Sequence, residues 1–237
     1  DCVRARNTSL YGYHRETTPF LEAFAETATV YEQARAPAPK SLTSHISMFT
    51  GLHVEEHNVR SRESRLQPGT TVWEQLGEVG YATGAFSENT FLTELDVGLK
   101  SAFDHVYAGT GLPYGDALNP SEYANGADIE YGRFLLDAIR DRTPIRSFLN
   151  GLAKLRGSKD ADVYVDEFLD WRERVSGPWA GVINLMDAHT RYHPPEGYNE
   201  WADEDAETLM DEIGNPVWEF QCGHRPYDEL ATLEDLY

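Results

Sequence analysis

The sequence predicts an α/β protein with a mostly parallel central sheet and helices on both faces. Two observations support this class. Helical and strand-like segments alternate along the 237 residues, and residues 179–186 form a nearly continuous apolar run. Such runs are typical of strands buried on both faces of a parallel sheet, and the alternation is typical of α/β folds. The length is sufficient for a sizeable hydrophobic core.

Local signals define the elements of the first half. Thr18 and Pro19 begin a helix whose apolar residues recur with a helical period. Thr71 and Glu74 have the spacing of a capping box, which predicts a second helix. Residues 81–86 then have strand composition. A helix and a strand joined by a tight connection are therefore expected here.

The second half contains two further helical patterns, over about 126–139 and about 160–175. Residues 142–159 between them are basic and show no clear period, which predicts irregular structure. Residues 109–120 are rich in Gly and Pro, which predicts a loop.

Charge excludes some classes of partner. The net charge is −20, from 40 acidic and 20 basic residues. The acidic residues are spread along the chain, which favours a salt-adapted protein over an ordinary acidic one. Such a surface disfavours nucleic acids and anionic membrane surfaces, and no apolar run is long enough for a membrane span. We expect a cytoplasmic location for this chain, which begins at Asp1 rather than Met.

The segment from Ala36 to Gly51 is the first candidate for chemistry. Its prolines exclude a helix at the start, residues 43–50 can be helical, and Gly51 can end the helix. Ser41 is therefore expected at a helix N-terminus, where free backbone N–H groups favour an oxyanion or an ionised nucleophile. Taken alone, the same position also fits an ordinary serine cap.

The end of the predicted buried strand is the second candidate. Asp187 and His189 follow the strand, and two prolines at 194 and 195 keep the chain in a loop. Sites in open α/β sheets lie beyond the carboxyl ends of the strands. His189 can donate to an anion or act as a general acid there, or it can be a loop histidine without a role. Asp1 has the chemistry of a hard-metal ligand.

Segments in a fixed order carry a family resemblance. They are Asp1 to Arg4, Leu10 to Tyr13, Glu16 to Leu21, Ser41 to Gly51, Gly51 to Val59, Gly80 to Thr83, Phe103 to His105, and Met186 to Tyr192. Together they resemble the N-terminal half of the sulfatase domain, in the alkaline phosphatase superfamily, with a haloarchaeal character. The resemblance implies one catalytic domain of which residues 1–237 are the N-terminal part, without the first strand and the second metal half-site.

The resemblance implies roles for individual residues. Asp1 corresponds to a metal ligand, for Ca²⁺ or Mg²⁺, and Ser41 occupies the nucleophile position, which sulfatases oxidise to formylglycine. The hydrate of formylglycine attacks sulfur and then expels sulfate by collapse to the aldehyde. His189 corresponds to a histidine that contacts the substrate sulfate, with Asp187 beside it, and His45 joins Ser41 and His189 as a catalytic candidate. The expected substrate is a small-molecule or glycan sulfate ester.

Departures from the family pattern keep other functions open. Thr43 stands where the modification signature has Pro, and His45 stands where it has Arg. One alternative is a phosphate-ester hydrolase or phosphoglycerol-type transferase that uses unmodified Ser41. Another is a truncated, inactive paralogue. His53 and His57 also fit the H-x-x-E-H pattern of zinc peptidases, but the resemblance assigns His57 to a loop. The oligomeric state is not predicted.

Overall fold

A computed structural model of the chain describes residues 2–109, 112–125, 128–155, 160–195, 197–213 and 216–237. The helices are α1 Pro19–Ala25, α2 Ser41–Thr50, α3 Val54–His57, α4 Val72–Glu78, α5 Thr90–Thr93, α6 Tyr131–Arg140, α7 Pro144–Lys154, α8 Ala161–Arg174, α9 Glu204–Glu212, α10 Pro216–Gln221 and α11 Glu229–Glu234. The strands are β1 Ala82–Ser87, β2 His105–Tyr107, β3 Ala124–Asn125, β4 Asp128–Ile129 and β5 Trp179–Asn184. Short 3-10 turns occupy Ala5–Asn7, Ser9–Tyr11, Lys100–Ala102 and Pro120–Tyr123.

The described central sheet has three parallel strands in the order β2-β1-β5. β1 and β5 pair over their whole length, from Ala82 opposite Trp179 to Ser87 opposite Asn184. β3 and β4 form a separate antiparallel pair. Because β1 and β5 are parallel and in register, their carboxyl ends lie side by side at one edge of the sheet.

Helices cover both faces of the central strand. Successive side chains of a strand point to opposite faces, and Ala85 packs into one core cluster while Phe86 packs into another. The cluster around Ala85 contains Leu42 and Ile46 of α2. The ring of Phe86 lies 5.5 Å from that of Trp171 in α8. The predicted α/β architecture, with an incomplete parallel sheet, is confirmed.

Most local predictions in the first half are also confirmed. α1 begins at Pro19, and β1 lies within one residue of the predicted strand. The capping box of α4 is present: the Glu74 N–H donates to Thr71 Oγ1 at 3.2 Å, and the Thr71 N–H donates to Glu74 Oε2 at 3.0 Å. These signals act over a few residues, so the sequence contains them completely.

Three predictions in the second half are wrong. Residues 142–159 were expected to be irregular, but α7 occupies most of them and begins with Pro144 at its first position, where proline is favourable. The helix expected from about 126 begins at Tyr131, after the short strand β4. β5 was expected to be buried on both faces, yet Trp179 is exposed and only Asn184 at the other end is buried. None of the described helices is long and apolar enough to cross a bilayer.

Candidate active site

Helix α2 presents Ser41 at the edge of the sheet. Ser41 is the first residue of the helix, and Gly51 ends it in the left-handed conformation with φ 73°. The apolar side of α2 is buried against the core on one face of β1 through Leu42, Ile46 and Phe49. This packing fixes the helix axis, so the N-terminal N–H groups of α2 and the Ser41 side chain lie where an anion would be stabilised.

Ser87, the last residue of β1, joins the ends of the two strands. Its hydroxyl donates to the backbone carbonyl of Asn184 at 2.7 Å. The Ser87 oxygen accepts from Asn184 Nδ2 at 2.9 Å and from the Asn89 N–H at 2.9 Å. All three residues are buried. A buried polar group with its hydrogen bonds satisfied rigidifies its surroundings, so this network fixes the chain that leads to Asn89.

Asn89 connects the network to Ser41. Its Oδ1 accepts from the Phe91 N–H at 3.1 Å and caps helix α5. Because the oxygen is used in this cap, the amide group faces Ser41, and Nδ2 donates to Ser41 Oγ at 2.8 Å. A fixed donor at this atom stabilises negative charge on the oxygen, as an activated nucleophile requires.

His45 lies one helical turn after Ser41. Its Nδ1 is 3.2 Å from Ser41 Oγ and 2.8 Å from the Ser41 carbonyl oxygen. When Nδ1 carries no proton it can accept from the hydroxyl, and when it is protonated it can donate to the carbonyl. Burial lowers the pKa of His45, although hydrogen bonds with the Ser41 carbonyl and the Asn184 side chain act in the opposite direction. The lowered pKa favours the neutral ring, which is the form that can receive a proton from Ser41.

The structure therefore brings together Ser41 and His45, two of the predicted catalytic residues. A hydroxyl, an adjacent imidazole and a fixed amide donor at a helix N-terminus form the arrangement of a nucleophile with its base and charge stabiliser. Ser87 and Asn184, at the paired ends of β1 and β5, hold Asn89 in place beside Ser41.

A comparison with family models decides the family: the sulfatase model matches residues 1–217. The chain belongs to the sulfatase family. No curated protein sequence matches it significantly. Among solved structures, the phosphonate monoester hydrolase of Agrobacterium radiobacter aligns over 89% of this chain and 47% of its own, with a TM-score of 0.54 and 15% identity. A 2-O GAG sulfatase aligns over 60% of this chain and 30% of its own, with a TM-score of 0.39 and 22% identity. The chain thus spans about half the length of the hydrolase that it resembles in fold.

The other predicted residues of this sulfatase-family chain lie in the loop after β5. His189 is partly buried, and its Nδ1 is 2.7 Å from the Thr190 carbonyl oxygen. Asp187 is exposed, and its Oδ1 accepts from the Ala161 N–H at 3.2 Å, in the first turn of α8. The loop also borders a cleft of about 900 Å³ whose wall includes Thr190 and Arg4. The contact of Asp187 holds the loop against α8, while contact of Asp187 or His189 with a substrate stays a prediction.

The predicted metal ligand, Asp1, lies outside the described residues. Within the described ranges, His, Cys, Asp and Glu side chains do not gather in groups of three or more that could hold a metal ion. The metal ligands therefore stay a prediction.

The zinc-peptidase pattern has a structural explanation. His57 is the last residue of α3. Its Nε2 is 3.1 Å from Ser47 Oγ in α2, and its Nδ1 accepts from the Val59 N–H at 3.1 Å. Both ring nitrogens thus have protein partners, and His57 fastens α3 to α2.

Sequence reasoning missed Asn89, Ser87 and Asn184. A weak local signal existed, since Asn is a preferred helix cap and Asn89 precedes α5 directly. The contact with Ser41, however, crosses 48 residues of sequence. It depends on how α2 packs beside the end of β1, which no local pattern contains.

Proposed function

We propose that this chain forms the N-terminal part of a catalytic domain that hydrolyses sulfate monoesters, with Ser41 at the formylglycine or nucleophile position. The carrying observation is the hydrogen bond of 2.8 Å from Asn89 Nδ2 to Ser41 Oγ at the start of α2. A serine that served only as a helix cap would not require a buried amide, itself oriented by a second hydrogen bond, to donate to its side chain.

In this proposal, different residues around Ser41 bind the sulfate group and stabilise charge. The N–H groups of the first turn of α2 attract the oxygens of a sulfate group. Asn89 stabilises charge on the attacking oxygen, and His189 in the loop after β5 donates to a sulfate oxygen or protonates the leaving alcohol. We expect the alcohol part of the substrate to be a small molecule or a glycan.

The proposal includes a modified Ser41 and a divalent cation. Family membership supports oxidation of Ser41 to formylglycine and a cation, Ca²⁺ or Mg²⁺, with Asp1 among its ligands. Such a cation supplies polarisation of the ester oxygens when it is bound.

A second candidate is cleavage of a phosphate or phosphonate ester by unmodified Ser41. The favouring observation is His45 Nδ1 at 3.2 Å from Ser41 Oγ, in a segment where Thr43 and His45 replace the Pro and Arg of the modification signature. Ser41 Oγ would bond to phosphorus while its proton passes to His45, and the bond to the leaving alcohol would break. Water would then hydrolyse the Ser41 ester. The structural neighbour named a phosphonate monoester hydrolase has the same fold.

The deciding experiment uses the gene product with its flanking coding sequence. Ser41→Ala should abolish hydrolysis of aryl sulfates, by at least about a thousandfold, because the attacking oxygen is removed. Ser44→Ala, on the same helix, is the matched control and should retain activity. Intact mass should show the loss of two hydrogens at Ser41. Activity on phosphate esters with an unmodified Ser41 would establish the second candidate, and unchanged activity of Ser41→Ala would refute both.

Asn89→Asp tests the donor separately from the helix cap. The aspartate still caps α5, but it places a carboxylate instead of an N–H beside Ser41. We expect a loss of about a hundredfold in kcat. Because residue 89 is buried, the new carboxylate should also lower the melting temperature, so circular dichroism at the assay temperature must show a folded protein. An unaltered kcat would show that Asn89 only caps the helix.

Asp1→Asn tests the cation. Because a neutral amide is a weaker ligand than a carboxylate for hard cations, bound Ca²⁺ or Mg²⁺ measured by atomic emission should fall. Equal metal content in both proteins would remove Asp1 from the proposed ligand set. If the wild-type protein itself contains no bound metal and has no activity, the result would instead support the inactive paralogue.

A further inference from the structure

Glu94, directly after helix α5, is a buried carboxylate with hydrogen-bond donors from three other segments. Lys154 Nζ, on the last residue of α7, donates to Glu94 Oε1 at 2.9 Å. Ser121 Oγ donates to Glu94 Oε2 at 2.5 Å, and Lys100 Nζ donates to the backbone carbonyl oxygen of Glu94 at 2.8 Å. Glu94 thus joins the end of α5 to α7 and to two 3-10 turns.

The pair of Glu94 and Lys154 is the most buried ion pair among the described residues. The two side chains are 5% and 12% exposed, whereas Arg146 and Asp116, which form an ion pair on the same helix, are 50% and 59% exposed. Because desolvation offsets most of the attraction in a buried ion pair, such a pair contributes little net stability compared with apolar residues of similar size. Its effect is instead directional, since the ammonium group and the carboxylate must stay at hydrogen-bond distance and angle.

Helix α7 is held by contacts other than this ion pair, so it can serve as a fixed support. It packs against α6 as a helical hairpin, since a Cβ on Gly151 would lie 2.5 Å from the Phe134 ring. Asn150 Nδ2 donates to two carbonyl oxygens of the loop after β2, at 2.9 and 3.0 Å. Lys154 therefore extends from a helix whose position is already fixed.

Helix α5 connects Glu94 to Asn89, the residue that donates to Ser41. It has a single turn, and a helix of one turn is not stable without contacts from outside. The Asn89 carbonyl oxygen accepts from the Thr93 N–H at 3.2 Å and from Thr93 Oγ1 at 3.1 Å. The Glu94 N–H donates to the carbonyl oxygen of the first helical residue at 3.0 Å. The two ends of the turn are therefore coupled by hydrogen bonds.

Polar contacts at both ends fix the rotation of this turn. Leu92 is completely buried in the core, but apolar packing is non-directional and does not by itself fix the rotation. At the start of the turn, the Asn89 N–H donates to the Ser87 hydroxyl oxygen at 2.9 Å, and at its end Glu94 is held by its three donors. A rotation of the turn would move Asn89 Nδ2 away from Ser41 Oγ, which lies at 2.8 Å.

We propose that Glu94 and Lys154 are positioning residues, which hold α5 so that Asn89 donates to Ser41 Oγ. This inference rests on the proposed function of Ser41 and extends it to an ion pair at the far end of α5. Loss of one partner leaves an uncompensated buried charge, which displaces the end of the turn. A displacement of about 1 Å at a catalytic group can cost about a hundredfold in rate.

Lys154→Met, in the gene product with its flanking coding sequence, tests the ion pair through the kinetics of ester hydrolysis. Its kcat should fall at least about tenfold, while KM stays within about twofold of wild type, because charge stabilisation changes rather than substrate binding. Lys154→Arg keeps a cation beside Glu94 and should retain most of the wild-type kcat. Arg146→Met is the matched control, since it removes an exposed ion pair of the same helix, and its kinetics should be those of wild type.

A triple variant separates positioning from stability. Glu94→Met, Ser121→Ala and Lys154→Met together replace the buried polar contacts with apolar groups and leave no buried charge of the pair without a partner. Its melting temperature should therefore stay close to that of wild type, while its kcat should still fall at least about tenfold. If Lys154→Met alone does not fold, as judged by circular dichroism, the triple variant decides. A triple variant with the kcat of wild type would overturn the proposal, and so would an equal loss of kcat in Arg146→Met and Lys154→Met.

The side-chain amide of Asn89 provides a second measurement, by NMR, that does not require activity. Its Nδ2 protons can be assigned by their loss in Asn89→Asp, and they should exchange slowly with solvent in wild type because one is donated to Ser41. Lys154→Met and the triple variant should accelerate this exchange at least about tenfold, whereas Arg146→Met should not change it.

The NMR measurement distinguishes failure of this inference from failure of the proposed function. If the wild type hydrolyses neither sulfate nor phosphate esters but both Lys154 variants accelerate the exchange, the proposed function is wrong and the positioning of Asn89 stands. If the exchange is unchanged in both variants, Glu94 and Lys154 do not position Asn89, whatever the activity of the wild type.

Discussion

Helices α2 and α7 are of similar length but are used in opposite ways. α2 buries Ile46 and Phe49 in the core and carries Ser41 at its first residue. α7 buries Ser147 and Asn150 and exposes its large apolar residues. On α2, burial of apolar side chains holds a polar site in place. On α7, the hydrogen bonds of Asn150 and the contact of Gly151 with Phe134 hold the helix, and the large apolar residues stay exposed.

The largest expected effect is on the free energy of unfolding, because a residue of α2 lies in the core and a residue of α7 does not. Ile46 is completely buried, whereas Leu152 is 45% exposed. Ile46→Ala should lower the free energy of unfolding by about 2–5 kcal/mol, because a cavity replaces packed atoms. Leu152→Ala should lower it by less than about 1 kcal/mol. Urea unfolding monitored by circular dichroism measures both, and equal losses would contradict the contrast.

Two glycines test the inner contact of the hairpin. A Cβ on Gly151 would lie 2.5 Å from the Phe134 ring, whereas a Cβ on Gly132 of α6 would meet nothing within 4 Å. Gly151→Ala should cost about 1–3 kcal/mol through overpacking. Gly132→Ala should stabilise by up to about 1 kcal/mol, because alanine favours the helix. Thermal unfolding of the two variants measures both changes in stability. A stabilising Gly151→Ala would show that the two helices are not in close contact.

The dependence of stability on salt tests the difference in charge between residues 131–155 and the remainder of the chain. Residues 131–155 contain five basic and two acidic residues, a net +3 in a chain of net −20, which leaves −23 for the remainder. This negative charge produces repulsion that salt screens, since the Debye length falls from about 10 Å at 0.1 M to about 3 Å at 1 M. The melting temperature should therefore rise by several degrees over this range, and more steeply in still higher salt if the chain is salt-adapted. A melting temperature independent of NaCl concentration would refute both the repulsion and the salt adaptation.

Much of the fold and part of the site could be predicted from the sequence. Thr71, Glu74 and Gly51 act through local geometry, so α4 and the end of α2 could be predicted from a few residues. Ser41 could be placed at a helix start for the same reason. The sequence did contain signals for α7, since Pro144 marks its start and Ile145, Phe148 and Leu152 recur with a helical period, but the prediction gave more weight to its basic residues.

The rest of the site depends on contacts between distant segments. Asn89 reaches Ser41 only because Ser87 holds its backbone at the end of β1 beside β5. The hydrogen bonds of Ser87 with Asn184 link residues 97 positions apart. Packing of α2 on one face of the sheet brings these elements together, and neither the period nor the composition of any one segment contains that information.

The smallest expected effect concerns the polar contacts that hold each helix. α7 uses Asn150, which does not titrate, whereas α2 is fastened by His57, whose Nδ1 accepts from the Val59 N–H. Burial lowers the pKa of His57 below its ordinary value of 6.5. The unprotonated ring therefore contributes stability above about pH 6.5, and this contribution is lost as the pH falls through the lowered value. The free energy of unfolding should therefore decrease between pH 7 and 5.5. His57→Gln should remove that part of the pH dependence, measured by urea unfolding at each pH. An identical dependence in His57→Gln and wild type would assign the acid sensitivity to other buried histidines, of which His45 has a pKa lowered in the same direction.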